Sequence, residues 1–463
     1  MLYHSTRGTA PVLGFCDVLL AGLARDGGLY VPQYWPVLQP SVIKTFATLA
    51  YGEVAKTVLR PFVAGEIDDA DFDAMIDETC SQFRHPAVTP LVQIDASHWL
   101  LELFHGPTLA FKDVAMQLIA RLMDHVLKQR NARATIIGAT SGDTGGAAIE
   151  AFKGRQNTDV FILFPESKVS AVQRRQMTTA NDTSIHAVAI KGNFDDCQAL
   201  VKAMFNDHGF RDKFSLSGIN SINWARIMAQ IVYYFVAASR LGGPERQIGF
   251  TVPTGNFGDI FAGYCAKRMG LPISSLVIAT NQNDILARAL SSGRYEVAGV
   301  NASTSPSMDI QVSSNFERLI FEAAGGDGEL VRSLMSALLQ SGGFTLPAGV
   351  LAQFRAGFSA GSTSEAQCAQ TIKQTLLRSG YLADPHTAVG LHVAKNFPCA
   401  DPMVTLATAH PAKFPDAIKA ACGVWPELPT WCSGLMTKPE HFDVVSNDLP
   451  AVKDYIAKRT RAA

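Results

Sequence analysis

The sequence predicts an α/β fold with a largely parallel sheet. Short, continuous apolar runs alternate with stretches of helical pattern, and such runs are typical of strands buried on both faces. The runs cover residues 134–138, 160–164, 185–190, 248–252, 275–280 and 403–408, with helical stretches near 144–153, 195–208, 222–239 and 259–269. Repeated strand–helix–strand units of this kind form parallel sheets covered by helices.

Chain length and composition indicate a globular enzyme with more than one domain. The 463 residues exceed what one ordinary hydrophobic core supports. The hydrophobic content of 47%, the charged content of 17% and the formal net charge of -1 are those of a folded globular protein. The sequence has no block of like charges and no basic stripe with interleaved aromatics, which argues against nucleic acid and anionic membrane as partners.

The cysteines and the apolar segments predict a cytoplasmic protein. The 8 cysteines are scattered, without a CxxC pair or a zinc-like histidine spacing, so we expect free thiols and no metal site. The N-terminal MLYHSTRG lacks the apolar core of a secretory signal. The longest apolar stretch, near residues 227–238, is interrupted by Gln230 and is shorter than the roughly 20 residues of a membrane span.

The chain divides into regions of different pattern. Residues 1–95 are expected to pack on the core as an N-terminal segment. Residues 96–195 are predicted to form a smaller α/β domain and residues 196–463 a larger one. Within the larger region, residues 320–380 show helical patterns punctuated by Gly and Ser, which predicts an inserted helical lobe.

The string HGPTLAFKD, residues 105–113, places a lysine where helix electrostatics does not favour one. It leads into an amphipathic helical pattern with Thr108 as the expected N-cap, so Lys112 falls in the first turn. Burial and positive potential lower the pKa of a lysine and expose the nucleophilic amine that a Schiff base requires. The structural alternative is a surface lysine whose stem lies along apolar neighbours.

Two glycine-rich turns, each between a strand and a helix, predict anion-binding loops. GATSGDTGGAA covers residues 138–148 and PTGNFGD covers residues 253–259. Backbone N–H groups converge at such turns beside the positive end of a helix. Because a tight turn also needs glycine for geometry alone, a purely structural role stays open for the first loop. Neither loop matches GxGxxG or Walker A, which argues against dinucleotides and ATP.

Two further strings add polar groups at predicted element ends. NSINWARI, residues 220–227, contains an arginine whose planar fork of donors suits a phosphate. Helix capping by Asn220 and Ser221 and a surface ion pair for Arg226 are the structural alternatives. LATAHPAKF, residues 406–414, ends a buried strand at Thr408, in the position where open α/β sheets gather ligands.

Taken together, these strings resemble the threonine synthase family of pyridoxal phosphate (PLP) enzymes of fold type II. STRG and DGGLYVP near the N-terminus, with DPHTAVG at residues 384–390, are similar to the branch found in many bacteria and fungi. The resemblance covers nearly the whole chain and implies two open, largely parallel sheets flanked by helices, as in the tryptophan synthase β subunit. It implies PLP as cofactor, O-phospho-L-homoserine as substrate, L-threonine and phosphate as products, and a monomer or homodimer.

The resemblance also implies roles for individual residues. Lys112 becomes the residue that holds PLP as a Schiff base. The implied cofactor-binding residues are Asp143, Gly255, Asn256, Phe257, Gly258, Asp259 and Thr408, and the implied substrate-binding residues are Ser141 and Thr144 for the carboxylate and Asn220, Ser221 and Arg226 for the phosphate. Asp143 departs from the Asn of wider fold-type II relatives, which leaves its protonation open. His386 and His410 are interpreted as structural, because Lys112 can itself move protons.

Two other functions stay compatible with these strings. The first is a related PLP lyase that releases phosphate from the same substrate and forms 2-oxobutyrate; only its products distinguish it. The second is a non-catalytic PLP-binding homologue, and the presence of Lys112, Arg226 and both loops argues against it.

Overall fold

Among the described residues, two open sheets form the centre of the molecule. The computed structural model describes residues 1–140, 142–166, 169–397 and 401–462. The strands are β1 Leu2–Ser5, β2 Leu13–Gly14, β3 Tyr30–Pro32, β4 Leu91–Gln93, β5 His98–Glu102, β6 Ala134–Ala139, β7 Thr158–Pro165, β8 Ile185–Ile190, β9 Leu216–Gly218, β10 Ile248–Pro253, β11 Ile273–Thr280, β12 Arg294–Glu296, β13 Gly343–Thr345, β14 Phe358–Ser362, β15 Met403–Ala407 and β16 Asp443–Val445.

Helices cover both faces of these sheets. The α-helices are α1 Phe15–Ala21, α2 Pro40–Thr45, α3 Tyr51–Val63, α4 Asp69–Cys80, α5 Lys112–Gln129, α6 Asp143–Phe152, α7 Ala171–Thr178, α8 Phe194–Asn206, α9 His208–Lys213, α10 Trp224–Arg240, α11 Gly258–Arg268, α12 Ile285–Ser292, α13 Phe316–Ala323, α14 Gly328–Ser341, α15 Ala348–Gly357, α16 Glu365–Ser379, α17 Pro385–Ala394, α18 Pro415–Cys422 and α19 Leu449–Ala457. Short 3-10 helices lie at Phe46–Thr48, Pro306–Met308, Pro411–Lys413 and Thr430–Thr437.

The smaller sheet has the strand order β16-β8-β7-β6-β9, and its pairings are parallel. Its central strand β7 is buried along its whole length, as the continuous apolar pattern predicted. The larger sheet has the order β14-β11-β10-β15-β5-β4 and is parallel except for the hairpin of β4 and β5. The predicted fold class is confirmed.

The region predicted as a helical lobe, residues 320–380, contains two strands besides its helices. Strand β13 pairs with β12, and strand β14 forms an edge of the larger sheet beside β11. The strand has the sequence FSAGS, in which only Phe358 is buried, so no continuous apolar run marks it. The sequence also gave no signal for β5, which begins and ends with the polar residues His98 and Glu102. The boundaries of the three regions stay a prediction.

Helix α10 connects the N-terminal segment to the core. Its side chains are buried along nearly the whole length, and it packs on α3, α5 and α11. Trp224 at its start lies against Tyr3, Trp35 and Phe62 of the N-terminal segment, with ring centroids 5.9, 6.0 and 5.7 Å away. This aromatic cluster buries a large apolar area and fixes the beginning of α10.

The cysteines of the described ranges are free, while Cys399 lies outside them. Over the same ranges, no helix is long and apolar enough to cross a membrane. No group of three or more acidic, His or Cys side chains in the described residues is placed to hold a metal ion.

Candidate active site

Lys112 lies in the first turn of α5, as predicted, but the helix begins at Lys112 itself and is not capped by Thr108. Phe111 occupies the N-cap position and makes no capping side-chain hydrogen bond. Thr108 instead donates its backbone N–H and its hydroxyl to the two carboxylate oxygens of Asp113, at 2.8 and 2.7 Å. The expected N-cap is therefore wrong, because the buried carboxylate of Asp113 is the stronger acceptor for Thr108.

The side chain of Lys112 is buried, with 7% of the residue exposed, which rules out the surface-lysine alternative. Its Nζ lies 3.2 Å from Oδ2 of Asp143 and 3.3 Å from Oγ of Ser307. Burial is the main cause that lowers the pKa of Lys112; Asp143 opposes the shift, and the positive charges of Lys413 and Arg226 add to it. A lysine in this setting offers a nucleophilic amine more readily than one in water.

Asp143 at the start of α6 lies between buried polar and cationic groups. Its Oδ1 forms an ion pair with Nζ of Lys413 at 2.9 Å and accepts from Nε2 of Gln173 at 2.8 Å. Burial alone would raise the pKa of this carboxyl group, but Lys413, Lys112 and His386 outweigh burial and hold the pKa well below its usual value. The direction of this pKa shift favours the ionised form of Asp143, whose protonation the sequence left open.

The loop before α6 is shaped by Thr140. Its hydroxyl oxygen accepts from the N–H groups of Gly142 and Gly145, at 2.9 and 3.0 Å. Gly142 has a φ of +144°, and a β-carbon there would lie 2.5 Å from the side chain of Gln173, so geometry alone requires this glycine. Thr144 lies in the first turn of α6. Ser141, the other predicted substrate ligand of this loop, lies outside the described residues.

The second glycine-rich turn leaves its donors free. The N–H groups of residues 255–259 donate to no other residue in the described ranges, and Phe257, the N-cap of α11, has a left-handed φ of +63°. The loop is held from behind, because Asn256 O accepts from the backbone N and from Nδ2 of Asn315 at 3.1 and 2.9 Å. A rigid turn with unused N–H groups at a helix N-terminus fits a phosphate.

The carboxylate of Asp259 packs on α10. Tyr233 donates its hydroxyl to Oδ1, and Tyr234 donates to the backbone oxygen of Asp259 at 2.9 Å. Oδ2 is buried without a partner in the part of the chain that the structure describes. Burial raises the pKa of Asp259 to about 7, against the opposing effects of Tyr233 and Lys112.

Arg226 is buried in the first turn of α10, with 3% of the residue exposed, so the surface ion-pair alternative is wrong. Its Nη1 donates to the carbonyl of Ile219 at 3.2 Å, while its Nε has no partner among the described residues. No carboxylate within the described ranges lies within 4.0 Å of the guanidinium, and burial lowers the pKa of Arg226 to about 10. The guanidinium is a buried cation without a protein counterion.

The turn before Arg226 carries the other two residues of this string. Asn223 caps α10 by accepting from Ala225 N at 3.0 Å, so Asn220 and Ser221 are not the caps that the structural alternative assumed. Asn220 O accepts from Asn223 N at 3.1 Å, and Ser221 O accepts from the side chain of Asn315 at 3.1 Å. The side chain of Asn315 donates to both Ser221 O and Asn256 O, so it connects the turn before α10 to the second glycine-rich turn.

The end of β15 runs beside the segment that precedes Lys112. Phe111 N donates to Thr408 O at 2.8 Å, and His410 N donates to Leu109 O at 3.0 Å. Thr408 is therefore bonded to the residue next to Lys112. Burial lowers the pKa of His410 to about 4, and its Nδ1 accepts from Ala412 N at 3.2 Å.

Sequence reasoning missed Lys413 and Ser307, and it did not foresee the contacts of His386. Lys413 stood inside a string already singled out, LATAHPAKF, but nothing in that string indicated its burial. Ser307 lies in a 3-10 turn with no distinguishing pattern. His386 accepts from Ser307 N at 3.3 Å through Nε2, while its Nδ1 lies 2.8 Å from Oδ1 of Asp384.

The assembled residues define a class of protein. A buried lysine, a turn of free N–H groups and an arginine without a counterion lie at the starts of α5, α11 and α10, beside Asp143 at the start of α6 and Thr408 after β15. A family model described as pyridoxal-phosphate dependent enzyme matches residues 83–352, and these features fit that cofactor. The molecule is a PLP-dependent enzyme of fold type II, and the predicted cofactor is confirmed.

Closer comparisons identify the family. Models described as threonine synthase N terminus and threonine synthase, C-terminal match residues 2–80 and 387–456. Threonine synthase of Pseudomonas aeruginosa is 52% identical over 461 residues, which cover 99% of this chain and 98% of that protein. The crystal structure of PLP-bound threonine synthase from Brucella melitensis has 62% identity, a TM-score of 0.98 and full coverage of both chains (100%). The yeast structure has 39% identity and a TM-score of 0.93 over 99% and 98% of the two chains. The chain belongs to the threonine synthase family.

Proposed function

We propose that this protein converts O-phospho-L-homoserine and water to L-threonine and phosphate. The observation that carries the proposal is the unpaired guanidinium of Arg226. A buried charge without a counterion is unfavourable, so the site is suited to an anion that arrives with a ligand. Because residues 255–259 offer a separate set of donors for the cofactor phosphate, Arg226 is left for a phosphate on the substrate.

The surroundings of Arg226 support this assignment. Arg226 is close enough to Lys112 for its charge to lower the pKa of the lysine, so both groups face one space. Asn220 and Ser221 lie in the turn that leads into the same helix and offer further polar groups. A guanidinium can pair with two phosphate oxygens at once, which fixes the direction of the bound substrate.

The start of α6 suits the carboxylate of an amino acid. Thr144 and the N–H groups of the first turn lie beside Asp143, at the positive end of the helix. Ser141 belongs to the same proposed carboxylate site. With the phosphate held at Arg226 and the carboxylate at α6, the substrate Cα would be presented towards Lys112.

Lys112 is the proposed catalytic residue. PLP, when bound, supplies the electron sink that stabilises a carbanion at Cα. Lys112 would hold the cofactor and later move protons at the substrate carbons, because its amine is buried and its pKa is lowered. Asp143 and Ser307 keep Nζ in place. Thr408 offers a neutral hydroxyl at the end of β15, which we assign to the cofactor ring nitrogen.

The remaining assignments rest on the sequence. We propose that residues 255–259 bind the cofactor phosphate, with Asp259 contributing its backbone N–H rather than its partly paired carboxylate. A cytoplasmic location and a monomeric or homodimeric state stay predictions.

Arg226→Ala tests the proposed substrate site. The cofactor absorbance and the Kd for PLP should stay at wild-type values, because the proposed cofactor donors are untouched. The value of kcat/KM for O-phosphohomoserine should fall. Loss of one partner of a desolvated charge pair costs about 2 to 5 kcal/mol, which corresponds to a fall of roughly thirty-fold to several thousand-fold. Arg226→Lys should recover only part of the loss, because it restores charge but not the fork.

Arg240→Ala is the matched control, since Arg240 ends the same helix and is exposed. It should leave kcat/KM unchanged. Turnover by Arg226→Ala within about three-fold of wild type, an effect under about 1 kcal/mol, would remove the main support for a phosphorylated substrate.

Product analysis separates the proposed reaction from the lyase alternative. Purified protein is incubated with PLP and O-phosphohomoserine, and threonine, 2-oxobutyrate and phosphate are quantified together. Equal amounts of threonine and phosphate support the proposal, whereas 2-oxobutyrate in place of threonine identifies a phosphate-releasing lyase. No release of phosphate would indicate a non-catalytic homologue.

A further inference from the structure

We propose that Lys413 is a positioning residue that serves as the permanent counterion of Asp143, so that Lys112 is free to be an uncharged amine. The inference rests on the proposed role of Lys112. The two lysines pair with different oxygens of Asp143: Lys413 with Oδ1 and Lys112 with Oδ2. A single carboxylate cannot neutralise two buried ammonium groups, so one lysine is expected to give up its proton.

Hydrogen bonding decides which lysine keeps the charge. Lys413 is fully buried, and its Nζ lies 2.9 Å from Asp143, 2.7 Å from Thr108 O and 3.0 Å from Gln176 Oε1. An ammonium group has three donors: two of them donate to Thr108 O and Gln176 Oε1, and the charge is paired with Asp143. Lys112 has longer contacts, 3.2 Å to Asp143 and 3.3 Å to the neutral hydroxyl of Ser307. The protein therefore solvates the charged form of Lys413 better than that of Lys112.

The other charged and titratable groups around Lys112 and Lys413 do not change which of the two lysines keeps the charge. They are Arg226 from α10, Asp259 from α11 and His386 from α17, with Asp113 of α5 on the side of Lys413. Arg226 further disfavours a second cation at Lys112. An ionised Asp259 would favour a charged Lys112. Because burial raises the pKa of Asp259 to about 7, however, its carboxyl group is only partly ionised at neutral pH.

Lys413 also fixes the position of Lys112. Its bond to Thr108 O holds the segment before α5, and Thr108 is bonded to Asp113 in the first turn of that helix. The same ammonium holds Asp143 at the start of α6. Lys413 thus connects the starts of the two helices that carry Lys112 and its partner.

The test follows the ionisation of Lys112 without relying on turnover. Cofactor-free protein is pulsed with PLP at pH values from 6 to 10, the adduct is fixed with borohydride, and peptide mapping measures the label on Lys112. The rate constant rises with the uncharged fraction of the amine and so gives its titration midpoint. In Lys413→Gln and Lys413→Met, Lys112 becomes the cation that pairs with Asp143. Because this pairing favours the charged amine, the titration midpoint of Lys112 should rise by about one pH unit or more. Below the midpoint this shift slows labelling roughly ten-fold at a given pH.

Three variants make the outcome specific. Lys413→Gln loses the charge but can still donate to Thr108 O, so a folding defect in Lys413→Met does not end the test. Lys413→Arg keeps the charge and should keep the wild-type midpoint. Lys419→Met removes an exposed lysine of α18 and should change nothing.

Each result counts for or against the inference. A midpoint within about 0.3 pH unit of wild type in folded Lys413→Gln overturns the role of Lys413, even if the label lies on Lys112. A raised midpoint in Lys413→Arg also overturns it, since charge would then not be the cause. A label on another lysine in the wild-type protein contradicts the proposed function instead, which keeps the two failures distinguishable.

Discussion

At the scale of single residues, Asp259 combines a raised pKa with incomplete hydrogen bonding. Its Oδ1 accepts from Tyr233, but its buried Oδ2 has no partner among the described residues. Burial raises its pKa to about 7, well above the roughly 3.9 of an unfolded chain. The folded state therefore binds a proton that the unfolded state releases. The contribution of Asp259 to the free energy of unfolding is therefore largest below about pH 4, and it is lost as the pH rises to about 7.

Asp259→Asn should remove this loss of stability. The amide keeps an acceptor for Tyr233 and adds donors near the unpaired position, without a charge to bury. We expect the Tm of the cofactor-free variant to exceed that of wild type at pH 8, and by less at pH 5, where about a third of the free-energy difference remains. A shift of about three units bounds the gain at about 4 kcal/mol. Calorimetry at both pH values measures it, with exposed Asp195→Asn as control. If the variant and the wild type had the same Tm at pH 8, ionisation of Asp259 would not destabilise the folded state.

Residues with a local pattern were predictable, and those placed by distant chain segments were not. Lys112 and the turn from Gly255 were found because strand, glycine and helix follow each other directly in the sequence. Lys413 bonds to Thr108, which lies 305 residues earlier, and Ser307 reaches Asp143 across 164 residues. No spacing rule within one sequence indicates such contacts. Burial of Arg226 was not predicted either, although its helix is apolar around most of its circumference, a pattern typical of a buried helix.

At the scale of elements, the turn between β10 and α11 has two glycines with different constraints. A β-carbon at Gly255 would lie 2.6 Å from the carbonyl oxygen of Ser307, closer than atoms can approach. A β-carbon at Gly258 would meet its nearest neighbour, Cδ1 of Ile227, at an ordinary 3.4 Å. Gly255 is thus required because the backbone of Ser307 leaves no room for a side chain, whereas Gly258 has room for a β-carbon.

We therefore expect Gly255→Ala to displace the turn and Gly258→Ala to leave the protein structure in place. Overpacking costs about 1 to 3 kcal/mol, so displacement of the turn should weaken PLP binding by roughly five-fold to 150-fold. PLP titration and the Tm of the cofactor-free protein report the two effects separately. Gly258→Ala should keep the wild-type Tm. If Gly255→Ala kept both the wild-type Tm and the wild-type PLP affinity, the contact with Ser307 would not constrain the turn.

Element prediction succeeded for strands with a continuous apolar run and failed for strands without one, such as β5 and β14. The buried strands β6, β7, β8, β10, β11 and β15 showed continuous apolar runs. The edge strand β14 lies against a neighbour on one side only, so small and polar residues suffice there. Its place in the sheet is decided by β11 and not by its own sequence.

At the scale of the whole molecule, the C-terminal region completes the smaller sheet. Strand β16 pairs with β8, and α19 packs on α8. Val452 and Ile456 of α19 are fully buried in a cluster with Leu200 and Val201, separate from the main core. This face of the smaller sheet can therefore open without disturbing the larger one.

Ile456→Ala should weaken this part of the molecule alone. Truncation of a buried Ile costs about 2 to 5 kcal/mol, which should speed amide hydrogen exchange in α8 and β16 by about ten-fold or more. Exchange in α10 and the Kd for PLP should not change. Leu377→Ala, which alters a side chain that is 74% exposed, is the control. Faster exchange throughout α10 would show that the two sheets unfold as one unit.

The position of β15 in the larger sheet makes the site depend on a strand that is synthesised after most of the other site residues. This strand, residues 403–407, lies between β10 and β5, which the ribosome makes much earlier. Until it emerges, β10 and β5 have no neighbour to join them, and Thr408 and Lys413 are missing from the side of Lys112. Domains generally fold as they are translated, but the larger sheet cannot form completely before β15 has been synthesised. A chain that is released before residue 413 carries Lys112 without these partners, so translation must pass this residue before the site can form.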